Sequence, residues 1–252
     1  MSDSAILATS ELGLDIGGAT IVADVSLQVR DGELLGVIGP NGAGKTSLFN
    51  LLSGLMRPTS GRVLLDGRDV TADAPYRRTR AGLGRTFQIS NVFPLLSVFE
   101  NVRLAAEARL GGTMRIWRRA SRVRDAVDRA GWALERVGLG GLRFRTAGSL
   151  AHGDKRKLEL AMVLASDPRV ILLDEPMAGV AVEDVPELVA LIGSVHADER
   201  KTVLIVEHHI EVVTGLAERI AVMHHGRLLA CDTPEAIMQN RTVQQAYVGE
   251  AL

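Results

Sequence analysis

One segment of the chain has the residue types and the spacing that phosphate binding needs. Residues 39–46 read Gly-Pro-Asn-Gly-Ala-Gly-Lys-Thr and fit the pattern G-x-x-x-x-G-K-[ST]. The glycines would let backbone N–H groups wrap a triphosphate at close range. Lys45 would add a positive charge for the β and γ phosphate oxygens, and the Thr46 hydroxyl would hold Mg²⁺. The candidate nucleotide-binding residues of this loop are Gly39, Pro40, Asn41, Gly42, Ala43, Gly44, Lys45, Thr46 and Ser47.

Two acidic residues that follow an apolar run form a second candidate group. The run 170–173 is typical of a buried parallel strand, and Asp174 and Glu175 follow it directly. Ligands collect at the carboxyl ends of such strands. Asp174 would complete the Mg²⁺ shell through water, and Glu175 would orient or deprotonate the attacking water. Together with the loop, these carboxylates predict the hydrolysis of a nucleoside triphosphate.

The elements that must position these residues alternate between strands and helices. The apolar run Leu34–Ile38 predicts a strand before the loop, and a further strand is expected at Val203–Val206. Leucines at the spacing i, i+3, i+4, i+7 predict an amphipathic helix after the loop; they are Leu48, Leu51, Leu52 and Leu55. Beyond Thr233 we expect a small helical tail. The alternation predicts a largely parallel sheet that is covered on both faces.

The middle third of the chain has a different pattern. From about Pro94 to Gly148 the helical periodicity is strong and arginine is frequent, which predicts an inserted helical subdomain. The arginines could suit a nucleic acid, but arginine replaces lysine throughout this chain, which has only four lysines. We therefore expect a solvated face close to anionic lipid headgroups or acidic partner loops, and no nucleic-acid partner.

Composition excludes several classes of protein. The chain has 252 residues, of which 46% are hydrophobic and 23% charged, so it is not disordered. Its net charge of −1 argues against nucleic-acid binding by bulk charge. A single cysteine, Cys231, excludes a disulfide framework within the chain. No signal peptide or membrane span is visible, so we expect a protein that is soluble by itself or held at a membrane by a partner.

The two motifs, with the segments between and after them, resemble the ATP-binding cassette (ABC) family over almost the whole chain. Arg85-Thr86-Phe87-Gln88 resembles the family's Q-loop, which implies that Gln88 reaches Mg²⁺ and the attacking water. Val206-Glu207-His208 resembles the segment of the switch histidine, which implies that His208 contacts the γ-phosphate. By this resemblance the catalytic residues are Glu175, His208 and Gln88, and the metal site comprises Thr46, Gln88 and Asp174.

A third segment stands in the place of the family's signature motif. It comprises Leu150, Ala151, His152, Gly153 and Asp154. In the family this segment closes over the nucleotide of a second cassette, so each ATP lies between the phosphate loop of one chain and the signature of the other. Ala151 replaces the usual serine, which removes one hydroxyl contact to the γ-phosphate. Ala181 stands where the family's D-loop carries aspartate.

The resemblance also draws attention to Ile16. ABC proteins commonly stack adenine on an aromatic residue near the N-terminus, but no aromatic residue or histidine precedes Phe49 in this chain. Alignment of Asp15-Ile16-Gly17-Gly18 with the usual aromatic-Gly-Gly stretch puts Ile16 in that place. We therefore include Ile16 among the candidate nucleotide-binding residues.

The resemblance implies an α/β fold with a P-loop NTPase core. That fold has a mainly parallel sheet, an N-terminal antiparallel β subdomain and an inserted α-helical subdomain. We expect one nucleotide-binding domain over residues 1–252, with residues 1–88 and 166–252 in the core and residues 89–165 in the helical subdomain. The cofactors implied are ATP and Mg²⁺.

Within the family, the chain is most similar to the ATPases that power uptake of branched-chain amino acids. The partners implied are membrane permeases, a second ABC ATPase chain (related or identical) and, indirectly, a periplasmic or extracellular solute-binding protein. The location implied is the cytoplasmic face of the inner membrane. An ATPase of a lipid or lipopolysaccharide exporter, or a soluble ABC ATPase outside transport, remains an alternative.

Overall fold

A computed structural model describes residues 5–86, 92–110 and 119–248. Its strands, in chain order, are β1 (Ala5–Ile16), β2 (Ala19–Val25), β3 (Gln28–Arg30), β4 (Leu34–Ile38), β5 (Ser60–Leu65), β6 (Arg68–Asp69), β7 (Leu83–Arg85), β8 (Val170–Asp174), β9 (Thr202–Val206), β10 (Arg219–His224) and β11 (Arg227–Asp232). Its helices are α1 (Lys45–Ser53), α2 (Pro75–Arg80), α3 (Val98–Leu110), α4 (Arg119–Arg136), α5 (His152–Ala165), α6 (Val185–Glu199), α7 (Ile210–Leu216), α8 (Pro234–Gln239) and α9 (Arg241–Val248).

The strands form two sheets. One is a six-stranded sheet in the order β11-β10-β4-β9-β8-β7, in which every neighbouring pair is parallel except β10 and β11. The other is antiparallel, in the order β2-β1-β5-β6, with β3 also paired to β1. The mainly parallel sheet and the N-terminal antiparallel sheet are both as expected from the sequence.

The parallel sheet is covered on both faces. Side chains of β4 alternate between two apolar clusters, with Leu34 and Ile38 in one and Leu35 and Val37 in the other. The first cluster continues into α3, α4 and α5, and the second into α1 and the antiparallel sheet. Continuous burial explains why β4 is apolar along its whole length and does not alternate with polar residues.

One sequence-based boundary is wrong. The leucine spacing extended the helix after the loop to Leu55, but α1 ends at Ser53 and Leu55 is exposed. Gly54 adopts a left-handed conformation, with φ 80°, and its N–H bonds to the Leu51 carbonyl. Such a glycine caps and terminates a helix, so the apparent fourth leucine of the stripe lies outside it.

The helical tail is confirmed beyond Thr233, where α8 and α9 lie. In the middle third the described residues form α3 and α4, as the periodicity predicts, and both pack against α5. Among the described residues, no helix is both long and apolar enough to cross a membrane.

Asp167 connects the helices of the middle third to the parallel sheet. Its carboxylate accepts contacts from Arg109 on α3 at 3.0 Å, Arg129 on α4 at 3.5 Å and Lys201 before β9 at 2.8 Å. Burial works against ionisation of Asp167, but hydrogen bonds from Lys201 and Arg109 outweigh it and lower the pKa of this carboxyl to about 2. The charged form is therefore favoured by folding.

We expect Asp167→Asn to lower the free energy of unfolding at pH 7 by about 1 kcal/mol, a value reduced for the partial exposure of the carboxylate. Because folding lowers this pKa from 3.8 to about 2, the contribution is present above pH 4 and is lost as the pH falls towards 2. Urea unfolding at several pH values measures the free energy of unfolding of the variant and of the native chain. The difference between the two values should disappear as the pH falls from 4 towards 2.

Asp66→Asn is the matched control. Asp66 and Asp167 both have left-handed backbone angles, with φ 51° and 47°, and both form ion pairs, but among the described residues the Asp66 carboxylate is paired with Arg169 alone and is more exposed. This variant should change the free energy of unfolding by less than about 0.5 kcal/mol. Equal effects of the two substitutions at neutral pH would contradict the connecting role of Asp167.

Candidate nucleotide-binding site

The candidate residues meet at the carboxyl ends of β4, β9 and β8. In the parallel register Val37 lies opposite Val206, and Val206 lies opposite Asp174. The strand ends are therefore level, so the loop after β4, the acids after β8 and the histidine after β9 share one edge of the sheet. This is the edge where parallel sheets bind ligands.

Close backbone packing shapes the phosphate loop. A side chain at Gly39 would collide with the Met223 carbonyl on β10. Gly44 has φ 94°, and a Cβ there would lie 2.9 Å from the Ile21 carbonyl on β2. The loop is also held by a hydrogen bond of 3.1 Å from the Gly226 N–H to the Ala43 carbonyl. Glycine is needed at both positions so that the loop can nest between the two sheets.

Lys45 is the first residue of α1 and is buried. Its Nζ donates to the carbonyls of Gly39 at 2.6 Å and Pro40 at 2.9 Å. The lysine therefore closes the loop on itself. Thr46 and Ser47 follow in the first turn of α1, where Gly44 has no side chain to cap the helix. The positive end of a helix with free N–H groups favours an anion such as phosphate.

Asp174 ends β8 and is only 1% exposed. Its Oδ2 accepts from an Arg85 guanidinium nitrogen at 2.7 Å, whereas Oδ1 is buried and has no hydrogen-bond partner among the described residues. Burial raises the pKa of Asp174, and the charges of Arg85 and Lys45 oppose that rise. A buried oxygen without a partner is unusual, and it is suited to a ligand that completes its coordination.

Glu175 and His208 are in direct contact. Glu175 Oε1 lies 2.9 Å from His208 Nε2, and the Glu175 N–H donates to the Val206 carbonyl at 2.9 Å. Glu207 is buried and accepts from the Met177 N–H at 2.8 Å, and burial raises the pKa of its carboxyl. The two acids have different roles in the fold: Glu207 fixes the loop after β8, and Glu175 faces the histidine.

The signature segment lies at the start of α5. Leu150 is buried, Ala151 is the residue before the helix, and the helix itself begins at His152. A Cβ at Gly179, in the loop after the acids, would lie 2.8 Å from the His152 Nε2, so the imidazole packs over that glycine. Gly153 faces Asp184 in the same way, with a Cβ position 3.1 Å from its carboxylate.

The two remaining candidates from the sequence are Ile16, which the structure describes, and Gln88, which it does not. Ile16 ends β1 beside the Gly17-Gly18 turn and is 49% exposed, so its side chain is available to a ligand. Gln88 lies outside the residues that the structure describes. The sequence analysis assigned no role to Arg85, although its guanidinium donates a hydrogen bond to Asp174. Its position in the Arg-Thr-Phe-Gln segment is the one feature of the sequence that could have drawn attention to it.

The loop, the helix start and the level strand ends define a P-loop nucleotide-binding protein. Comparison with known proteins gives the family. The model of the ABC transporter family matches residues 22–178. The chain belongs to the ABC transporter family and is an ATPase of that family.

Several characterised relatives match almost the whole chain. The high-affinity branched-chain amino acid transport ATP-binding protein LivG of Salmonella typhimurium is 39% identical over 253 residues, which cover 98% of each chain. BraF of Pseudomonas aeruginosa, with the same description, is 37% identical over 98% of each chain. The lipopolysaccharide export system ATP-binding protein LptB of Acidithiobacillus ferridurans is 36% identical over 91% of each chain.

Solved structures show the same fold. A nucleotide-free ATP-binding cassette from an ABC transporter superposes with a TM-score of 0.85 at 28% identity, covering 98% of this chain and all of that one. An ABC transporter cassette in its ADP conformation has a TM-score of 0.84 at 27% identity, covering 98% and 99% of the two chains. The α/β fold expected from the sequence is confirmed.

We expect Ile16→Tyr to tighten ATP binding several-fold, because an aromatic ring would stack on adenine. Stacking of a base on an aromatic side chain contributes about 1–3 kcal/mol in nucleic-acid complexes. Ile16 is half exposed at the end of β1, so the larger ring can be accommodated. Titration of the chain with ATP measures the dissociation constant.

Ile16→Leu is the control, because it changes the shape of the side chain without adding a ring. It should leave the dissociation constant unchanged. An Ile16→Tyr affinity equal to or weaker than that of the native chain would refute a place for residue 16 beside the base.

Proposed function

We propose that this chain is the ATP-hydrolysing subunit of an ABC importer that takes up branched-chain amino acids or a similar small polar solute. The hydrolysis of ATP is supported most strongly by one observation, the joint presence of the phosphate loop, Asp174 and the Glu175–His208 pair at one sheet edge. The chain also aligns end to end with LivG, whose name states this transport. ATP hydrolysis is the reaction, and separate membrane permeases carry the solute.

The residues at the site suit ATP with Mg²⁺. Lys45 and the N–H groups of the loop would bind the phosphates, while Thr46 and, through water, Asp174 would hold the metal. The buried Oδ1 of Asp174, which has no hydrogen-bond partner in the described part of the chain, is an oxygen ligand of the kind that Mg²⁺ takes. Bound Mg²⁺ supplies positive charge that neutralises the phosphate oxygens. Gln88, which lies outside the described residues, is proposed as a further ligand.

Glu175 is the proposed base of hydrolysis. Its carboxylate is positioned by His208 at 2.9 Å, and its N–H is tied to β9. A water that donates a hydrogen bond to Glu175 would be oriented for attack on the γ-phosphate. His208 would contact the γ-phosphate from the same side. Phosphoryl transfer depends mainly on such positioning and on electrostatics, so loss of either group should be costly.

The second half of each site would come from a second chain. The signature residues Leu150–Asp154 would close over the nucleotide of a related or identical cassette. Residues 89–165 would form the helical subdomain that contacts the permease, with residues 1–88 and 166–252 as the ATP-binding core. In this arrangement the chain is peripheral on the cytoplasmic face of the membrane, and the solute-binding protein acts through the permease.

Export of lipopolysaccharide or another lipid is the second candidate function. The relative LptB is 36% identical over 230 residues, which is close to the identity with the importer ATPases. The importer relatives cover more of the chain, 98% against 91%. The two functions differ in one respect that can be tested, since only import needs an external solute-binding protein.

We expect Glu175→Gln to bind ATP with nearly native affinity but to lower the rate of hydrolysis by about 10²-fold or more, because the amide cannot accept a proton from water. Phosphate release under saturating ATP measures the rate, and nucleotide titration measures the affinity. Glu235→Gln, in the first turn of α8 and exposed, is the control and should keep the native rate. Native hydrolysis by Glu175→Gln would remove Glu175 from the mechanism.

We expect cells whose only copy carries Glu175→Gln to lose uptake of labelled leucine. Uptake of urea and of an aromatic acid is measured in parallel, and cells with Glu235→Gln are the control. Loss restricted to one of the other solutes would keep the import function and change the cargo. Unchanged uptake of all three solutes would contradict the importer assignment, and dependence of lipid export on Glu175 would then favour the second function.

A further inference from the structure

Arg85 is a buried arginine that joins three parts of the site. It ends β7, and its side chain is 7% exposed. One guanidinium nitrogen donates to Asp174 Oδ2 at 2.7 Å. The other donates to the Asn50 Oδ1 at 2.9 Å and to the Ser53 hydroxyl at 2.7 Å. The guanidinium carbon also lies 6.0 Å from the centre of the Phe49 ring, within the range of a cation–π contact.

These partners connect the elements that carry two of the proposed metal ligands, Thr46 and Asp174. Asn50, Ser53 and Phe49 all belong to α1, the helix whose first turn carries Thr46. Asp174 belongs to the end of β8, which is not a neighbour of β4 in the sheet. The guanidinium therefore bridges the helix that follows the phosphate loop and the strand that carries the acid.

The bridge leaves the two oxygens of Asp174 unequal. Oδ2 is held by Arg85, whereas Oδ1 is buried and has no partner among the described residues. A buried carboxylate oxygen without a hydrogen bond has lost its water and gained nothing in return, so it is costly to leave unsatisfied. An arginine held by two neighbours on α1 fixes the carboxylate so that the same oxygen is always the one left for a ligand.

We propose that Arg85 is a positioning residue that orients Asp174 towards Mg²⁺ and sets its place relative to Thr46. This inference rests on the proposed function and deepens it. Groups that orient a metal ligand, without touching the metal, commonly change metal affinity by about 10–100-fold when they are removed. Arg85 would act in that way, since its guanidinium contacts the Asp174 carboxylate and α1.

Arg85→Met and Arg85→Lys test the proposal in the full chain. Methionine keeps the apolar stem but removes all donors, and lysine keeps the charge but cannot bond Asp174, Asn50 and Ser53 together. The readout is binding of a fluorescent ATP analogue, titrated with Mg²⁺ and repeated in EDTA. We expect Arg85→Met to raise the Mg²⁺ concentration for half-maximal enhancement of binding about tenfold. Affinity in EDTA should stay within twofold of the native value, and Arg85→Lys should restore part of the Mg²⁺ dependence.

Arg78→Met is the matched control for a purely structural role. Arg78 is also buried, at 1% exposure, and bonds to the same helix, donating to the carbonyls of Leu51 and Leu52 at 2.6 and 2.7 Å; none of its hydrogen bonds within the described residues goes to Asp174. This variant should lose stability in urea unfolding and keep the native Mg²⁺ dependence. If Arg85→Met also keeps it, Arg85 is structural and the proposal is overturned.

Two further measurements separate a failure of the Arg85 proposal from a folding defect of the variant and from a failure of the proposed function. If Arg85→Met does not fold, the double variant Asn50→Ala, Ser53→Ala removes the helix side of the bridge, and a Mg²⁺ dependence equal to the native one overturns the proposal. If the native chain itself binds no ATP analogue, the proposed function fails before Arg85 is tested. Native binding with a shifted Mg²⁺ requirement in the Arg85 variants supports both.

Discussion

The register of three parallel strands is the constraint on which the whole site depends. β4, β9 and β8 are paired so that Val37, Val206 and Asp174 are level. A slip of one residue would turn every side chain of a strand to the opposite face, and both faces here are apolar and buried. The packing that stabilises the sheet therefore also brings the phosphate loop, the carboxylates and the histidine to one edge.

The charges at this edge are arranged for a partner with many negative charges. Lys45 donates two hydrogen bonds to neutral carbonyls of its own loop. Transfer of its hydrogen bonds to phosphate oxygens would exchange weak acceptors for charged ones. Arg85, in contrast, is occupied by Asp174 and α1. In the proposed site Lys45 therefore binds the phosphates of the ligand, whereas Arg85 stabilises the arrangement of the protein around them.

The sequence predicted those parts of the site that are encoded locally. The residues of the phosphate loop are contiguous in the chain, and so are the two acids after β8, so residue types and spacing reveal them. The contact of Arg85 with Asp174 spans 89 positions, and α5 and β8 lie between His152 and Gly179, so neither contact leaves a periodic signal. The helix end at Ser53 was missed because the apolar spacing continued through the glycine that terminates the helix.

The backbone of Glu175 has φ 49°, a left-handed conformation in which an L-amino acid with a side chain is disfavoured by about 1–2 kcal/mol. Glycine would relieve this cost, so the residue that folds best at this position is not the glutamate that we propose as the base of hydrolysis. Under that proposal the chain gives up stability for activity at residue 175. The proposed role in hydrolysis is then a reason for a glutamate to persist where glycine would make the folded chain more stable.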